Sequence, residues 1–131
     1  DYTIRQLCQE MHDLYVSFNV KDLQKAMFRQ ESLPAVVMNP QDANQEYIRG
    51  NVELVRIRDA EGRIAAEGAL PYPPGVLCVV PGEVWGGAVQ RYFLALEEGI
   101  NMLPGFSPEL QGVYSEKDAD GIKRLYGYVL K

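Results

Sequence analysis

The chain has 131 residues, 47% hydrophobic and 24% charged, with a formal net charge of −5. That length suits one domain able to bury a core. No apolar run nears the ~20 residues of a membrane helix, and no Lys/Arg patch stands ready to neutralise phosphates, which argues against a nucleic-acid module. Residues 3–18 then place Ile4, Leu7, Cys8, Met11, Leu14, Tyr15 and Phe18 at three- and four-residue spacings, the stripe of an amphipathic helix. Asn19 reads as the cap of a second, shorter helix with Leu23, Ala26 and Met27 on its buried side. Val36, Val37 and Met38 read as a short extended piece. Asn39-Pro40, a capping side chain followed by proline at the first helical position, predicts a helix from Pro40 to about Arg49, ended by Gly50.

The character changes at Asn51. Residues 52–57 and 63–68 read as two strands joined into a hairpin through RDAEGR. Next comes ALPYPPGVLCVVPGE, residues 69–83, in which four prolines and two glycines bracket the apolar run Val76-Leu77-Cys78-Val79-Val80. Prolines fix φ and push preceding residues into extended conformations, so this predicts a short strand locked at both ends. From Val84 a period of 3.6 returns, with Trp85, Ala88, Val89, Tyr92, Phe93 and Leu96 on one face and Gly99 as terminator. A loop leads to a last hairpin, residues 113–115 with 123–130, joined by EKDADGI. Helices, then strands, then a helix, then a hairpin make a single α+β domain over residues 1–131.

Cys8 and Cys78 both stand among apolar residues, which predicts two buried free thiols in a reducing, cytoplasmic setting and no disulfide. The first ten residues lack the charged start of a secretory signal. The opening at Asp1 fits either a trimmed initiator or a domain taken from a longer polypeptide.

Chemistry-bearing patterns are scarce. The chain holds no G-x-G-x-x-G, P-loop, G-x-S-x-G, C-x-x-C or H-E-x-x-H pattern. His12, the single histidine, falls on the polar side of the first helix and reads as a surface residue. One histidine and two separated cysteines predict no zinc site. Glu97 and Glu98 read as a solvated helix end. Glu83, after Pro81-Gly82, reads as a carboxylate complementing the dipole of the following helix, or as a negative group on the rim of a pocket. Lys21, Lys25, Lys117, Lys123 and Lys131 all lie in polar or turn contexts, so none fits a covalent-catalysis role. Trp85, Tyr92 and Phe93 read as core; Tyr114, Tyr126 and Tyr128 read as an interface patch or a half-buried sheet. No nucleophile–base pair supports an independent hydrolase.

One long run changes the functional reading. EGALPYPPGVLCVVPGEVWGGAVQRYFLALEEGINMLPGFSPELQGVY, extended backwards through MNPQDANQEYIRGNVELV, resembles the C-terminal domain of the bacterial pyridoxal-phosphate decarboxylases acting on ornithine, lysine or arginine. PYPPG followed by PGE is shared with all three branches, and WGGAVQRYFLALEEGIN with LPGFSPELQGVY resembles the ornithine branch. The resemblance implies a parent enzyme that decarboxylates L-ornithine to putrescine, with pyridoxal phosphate as the electron sink. The cofactor lysine, in a serine-any-histidine-lysine motif, and the aspartate that pairs with the pyridine nitrogen belong to a preceding domain in that family. This chain would therefore bind no cofactor, supply no catalytic residue and be inactive alone. Its partners would be the remaining domains of the same polypeptide, within a homo-oligomer, and neither nucleic acid nor membrane. Tyr72, Pro73, Pro74, Gly75, Glu83 and Trp85 would help form the substrate entrance, where an acidic rim suits a cationic substrate. Removal of the rest of the subunit would leave apolar surface exposed. The alternatives are the equivalent domain of a lysine or arginine decarboxylase, or an autonomous binding or oligomerisation module.

Overall fold

A computed structural model describes all residues from Asp1 to Lys131. Four helices come in chain order: α1 (Ile4–Ser17), α2 (Val20–Ala26), α3 (Pro40–Ile48) and α4 (Gly87–Met102). Five strands complete the fold: β1 (Val52–Arg56), β2 (Leu70–Tyr72), β3 (Glu109–Gln111), β4 (Tyr114–Lys117) and β5 (Lys123–Leu130). The α+β class holds.

The helix starts follow local chemistry. Thr3 caps α1 through a reciprocal box, its hydroxyl accepting from the Gln6 amide at 3.2 Å while the Gln6 side chain accepts from the Thr3 amide at 2.8 Å. Asn39 accepts from the Gln41 amide at 2.9 Å, Pro40 opens α3, and Gly50 follows its end at φ +75°. Asn19 precedes α2 as expected, but it adopts φ +53° and its side chain makes no cap bond. The α1 stripe is only partly covered: Leu14 is buried, Leu7, Met11 and Phe18 are half-buried, and Ile4 (81%), Cys8 and Tyr15 are exposed.

The hairpin expected between residues 52–57 and 63–68 does not form. β1 pairs antiparallel with β5, from Val52 opposite Leu130 to Arg56 opposite Tyr126. The chain then turns through a 3₁₀ segment, Ile57–Asp59, that sinks Ile57 fully into the core. Residues 64–66 contact the other side of β5, the Ala66 amide donating to Tyr128 O at 3.0 Å. The buried alanines Ala60, Ala65, Ala66 and Ala69 permit this close approach. RDAEGR therefore redirects the chain across the sheet instead of reversing it. The final hairpin does form, β4 against β5, with Asp118 accepting from the Asp120 and Ile122 amides at 3.0 Å each and Gly121 at φ +78°. Those amide bonds and Arg124 outweigh the desolvation that opposes them and hold the Asp118 carboxyl below its usual range.

The core gathers on α4, which is buried on most of its circumference, as a central helix should be. Trp85, Phe93, Ile57, Leu125, Val79, Val89 and Val129 are its most deeply buried large side chains. Trp85 meets Phe93 edge-on, centroids 5.5 Å apart. The helix begins at Gly87, two residues after Trp85, and runs through Gly99 to Met102. Gly99 is thus a packing residue, with the Phe106 ring over the place a Cβ would take.

The two thiols part company: Cys78 is buried and Cys8 is exposed, against the expectation of two buried thiols. Cys8 lies on the uncovered face of α1, so its apolar neighbours shield nothing. Burial pushes the Cys78 thiol up to about 11. One thiol per chain should therefore react rapidly with a disulfide reagent at pH 7.5, and the second only on unfolding. Two equally fast thiols would contradict the packing around Cys78.

Candidate functional site

The proline-rich stretch is a closed loop, not the expected strand over residues 76–80. Extended structure falls just before the paired prolines, where β2 pairs with β3, Leu70 opposite Gln111 and Tyr72 opposite Glu109. The Tyr72–Pro73 and Pro73–Pro74 peptide bonds are both cis, and the Gly75 amide returns to Pro71 O at 3.1 Å with Gly75 at φ +83°. The Tyr72 ring lies against Gly75. The base is closed by Ala69 and Val79, which exchange bonds with Cys78 N to Ala69 O at 2.9 Å and Ala69 N to Val79 O at 3.0 Å. Between tip and base, Val76 and Leu77 stand 51% and 47% exposed. The apolar run suggested burial, but only its second half, Cys78 and Val79, reaches the core.

Glu83 lies beyond the base of that loop. Residues 81–85 are held between two other segments: Val37 N and Met38 N donate to Gly82 O at 3.1 Å, Ala65 N donates to Glu83 O at 2.8 Å, and Trp85 N donates to Arg63 O at 2.9 Å. The Glu83 carboxylate, half-buried, accepts from the Val80 amide at 2.8 Å. α4 starts four residues later, so Glu83 is not a cap of that helix; it fastens its own turn. Of the six expected entrance residues, Tyr72, Pro73 and Pro74 are exposed together at the tip with Gly75 half-buried beside them. Glu83 stands apart from them, across the Ala69–Val79 bridge, and Trp85 is in the core at 2% exposure.

Sequence reasoning missed Glu97. It is 2% exposed, accepts from the Leu125 amide at 2.7 Å and pairs with Arg124 at 3.7 Å. Four residues on, Asn101 accepts from the Lys123 amide at 2.9 Å and donates to Lys123 O at 2.8 Å. β1 has already ended opposite Tyr126, so these two side chains of α4 take up β5 backbone groups where the strand partner stops. The signal was available: Val89, Phe93 and Glu97 recur at four-residue steps on the buried face. Glu98, by contrast, is half-buried, and both carboxylates line a cavity of about 400 Å³ with Phe18, Leu23, Leu94, Arg58 and Arg91.

The outer face of the sheet carries a tyrosine cluster. Tyr128 meets Tyr47 and Tyr114 edge-on at 5.4 and 5.7 Å, and the Tyr114 hydroxyl donates to Glu67 at 2.8 Å. That hydrogen bond, with desolvation and the nearby charge, pushes the Tyr114 phenol up to about 12. Of the two sequence readings, the half-buried sheet fits Tyr126 and Tyr128, while Tyr114 is 40% exposed.

No group of three His, Cys, Asp or Glu side chains is placed to hold a metal ion. His12 is exposed on α1. Of the lysines, Lys21, Lys25, Lys117 and Lys131 are exposed, and Lys123 is half-buried beside Lys117 on the hairpin. None of the five is buried. Large apolar side chains left open to solvent are the more distinctive feature. Besides Ile4, Val76 and Leu77 they include Val16, Leu33, Val36, Ile48 and Met102, each at least 47% exposed. No helix is long and apolar enough to cross a membrane.

Comparison with known proteins places these features in context. The family model described as Orn/Lys/Arg decarboxylase, C-terminal domain, matches residues 21–131. The chain is 90% identical over 131 residues to the constitutive ornithine decarboxylase of Escherichia coli K12, and 75% identical over 130 residues to the inducible ornithine decarboxylase of the same organism. Those matches cover 100% and 99% of this chain but 18% of each relative, so the chain spans under one-fifth of their length. The solved constitutive lysine decarboxylase of E. coli superposes with a TM-score of 0.80 at 33% identity, over 98% of this chain and 18% of that one.

Proposed function

The chain belongs to the Orn/Lys/Arg decarboxylase C-terminal domain family, and from that premise we propose that it completes an ornithine decarboxylase, a pyridoxal-phosphate enzyme releasing carbon dioxide from L-ornithine to leave putrescine. The observation that carries this reading is identity of 90% and 75% to ornithine decarboxylases over essentially the whole chain, against 30–39% to lysine decarboxylases. The domain supplies no catalytic group and no cofactor ligand; the lysine environments support this, and the reactive centre comes from the rest of the polypeptide. Its own work is to dock on that polypeptide through exposed apolar side chains and to present the stiff turn at Tyr72, Pro73, Pro74 and Gly75 towards the substrate entrance. In the full enzyme it acts in the cytoplasm as part of a homo-oligomer.

The structure sharpens the test of Glu83. Glutamine at this position keeps an oxygen for the Val80 amide and removes only the charge. If the carboxylate attracts the cationic substrate, Glu83→Gln in the full-length enzyme raises KM for ornithine by about 2- to 5-fold with kcat unchanged, the size expected for one partly screened surface charge. Unchanged KM at unchanged melting temperature would remove Glu83 from the entrance. Carbon dioxide release from ornithine by this chain alone, supplied with pyridoxal phosphate, would overturn the reading of the domain as non-catalytic.

A further inference from the structure

β1 is an open edge. β5 gives Tyr128 O to the Ala66 amide and its Leu130 amide to Ile64 O, so residues 128 and 130 face away from β1. Alternation along an antiparallel ladder then assigns the β1 bonds to Glu53 and Val55, opposite Val129 and Gly127, and turns the N–H and C=O groups of Val52, Leu54 and Arg56 outward. No strand lies beyond β1 in the sheet, and none of the turn and loop backbone hydrogen bonds involves Val52, Leu54 or the Arg56 amide; the Arg56 carbonyl opens the 3₁₀ turn that follows. β1 has neither proline nor bulge, and the charge of its Glu53 is paired with Arg63. Leu54 on the strand and Ile48 just before it are exposed.

Arg56, at the end of this edge, adds an independent sign. Its Nε and Nη2 are shut off from solvent and have no hydrogen-bond acceptor. A guanidinium sunk without an acceptor is costly; this chain's own atoms cover those two nitrogens, so a carboxylate arriving from outside would offset the cost through its charge and not as their direct acceptor.

We propose that an extended segment of the same polypeptide, lying outside this chain and carrying a carboxylate, adds to β1 as a further strand of the sheet. The inference rests on the reading of the chain as one domain of a larger decarboxylase, of which more than four-fifths lies outside these residues in the relatives. A second copy of the domain fits less well. With the outward groups of Val52, Leu54 and Arg56 facing each other about a two-fold axis, Arg56 falls opposite Val52 of the second copy, whose side chain offers no acceptor.

The test is residue-resolved amide hydrogen exchange on the full-length, active enzyme. The expected result is protection of Val52, Leu54 and Arg56 by about 100-fold or more, comparable to Glu53 and Val55. In an Arg56→Gln variant, protection should fall by at least about 10-fold at Val52 and Leu54 while Glu53 and Val55 keep theirs. Fast exchange at the three outward residues beside slow exchange at Glu53 and Val55, in enzyme that decarboxylates ornithine, overturns the pairing and leaves the proposed function standing. Full protection retained in Arg56→Gln overturns the carboxylate partner. Protection lost on dilution to separated protomers assigns the edge to a second subunit and overturns the choice of occupant. Enzyme that does not act on ornithine counts against the proposed function instead.

Discussion

Gly112→Ala is expected to lower domain stability by about 3–5 kcal/mol, the largest loss from any single added methyl in this chain. Gly112 sits at φ +74° just after β3, and a Cβ there would fall on the carbonyl oxygen of Gly68, with the Ala69 Cα close behind. The left-handed conformation alone costs an L-residue about 1–2 kcal/mol. The remainder comes from moving backbone, because the obstructing atom is a carbonyl at the root of β2 and cannot swing away as a flexible side chain would. Displacing it disturbs the Leu70–Gln111 pair and the loop that β2 carries. Thermal unfolding should show a drop of roughly 10–20 °C. Gly121→Ala is the control: φ is +78° and nothing lies within 4 Å of the added carbon, so the loss should be confined to about 1–2 kcal/mol. Equal losses at the two positions would show that conformational strain alone governs both and that the close approach to Gly68 is unimportant.

The second large effect concerns the buried carboxylate. Glu97→Leu removes the acceptor of the Leu125 amide and one of the two acidic partners of Arg124, leaving a strand N–H unpaired at the centre of the fold. Orphaning a buried amide and breaking a buried ion pair together predict a loss of about 3 kcal/mol, read from urea unfolding. Glu97→Gln keeps an oxygen for the amide and should cost about half as much. Asp118, through its hydrogen bond and charge, still holds the Arg124 guanidinium above its ordinary value, so neither variant leaves that cation unpaired. A leucine variant as stable as the parent would mean that apolar packing replaces the ion pair without loss, and that the carboxylate does not anchor β5 to α4.

The same carboxylate marks where sequence reading stops. Glu97-Glu98 reads as a solvated pair because adjacent acids usually end a helix in water, and Glu98 does lie near the surface. Glu97 is buried because β1 leaves the sheet at Arg56 and a β5 amide there needs an acceptor; the four-residue step from Val89 and Phe93 marks the buried face, but not the distant amide that Glu97 meets. Cys8 errs in the opposite direction: an apolar stripe implies a covering partner, and within this chain Ile4, Cys8 and Tyr15 of that stripe stay exposed. Val76 and Leu77 err in the same way. Read as a buried strand, they are exposed on a loop whose base alone is bonded. Two of these misjudgements share a cause, since an apolar run in a sequence does not show whether anything packs over it.

The family resemblance was legible from a few dozen residues, and the comparisons agree with it. Of the six residues expected at the entrance, Tyr72, Pro73 and Pro74 are exposed at the tip of the proline loop with Gly75 half-buried beside them, Trp85 packs on Phe93 in the core, and Glu83 accepts from the Val80 amide.

The sequence by itself determined the α+β class through the order of its helical and extended patterns, and the starts of α1 and α3 and the DADG hairpin through bonds among residues two to four apart: Thr3 with Gln6, Asn39 with Gln41, Asp118 with Asp120 and Ile122. Tertiary structure alone decided that β1 pairs with β5, that residues 64–66 pack on the far side of that strand, and that α4 lends it Glu97 and Asn101. Those partners lie more than 20 residues apart in the chain, and the pairing is selected by which amides remain unsatisfied once the core around α4 has closed.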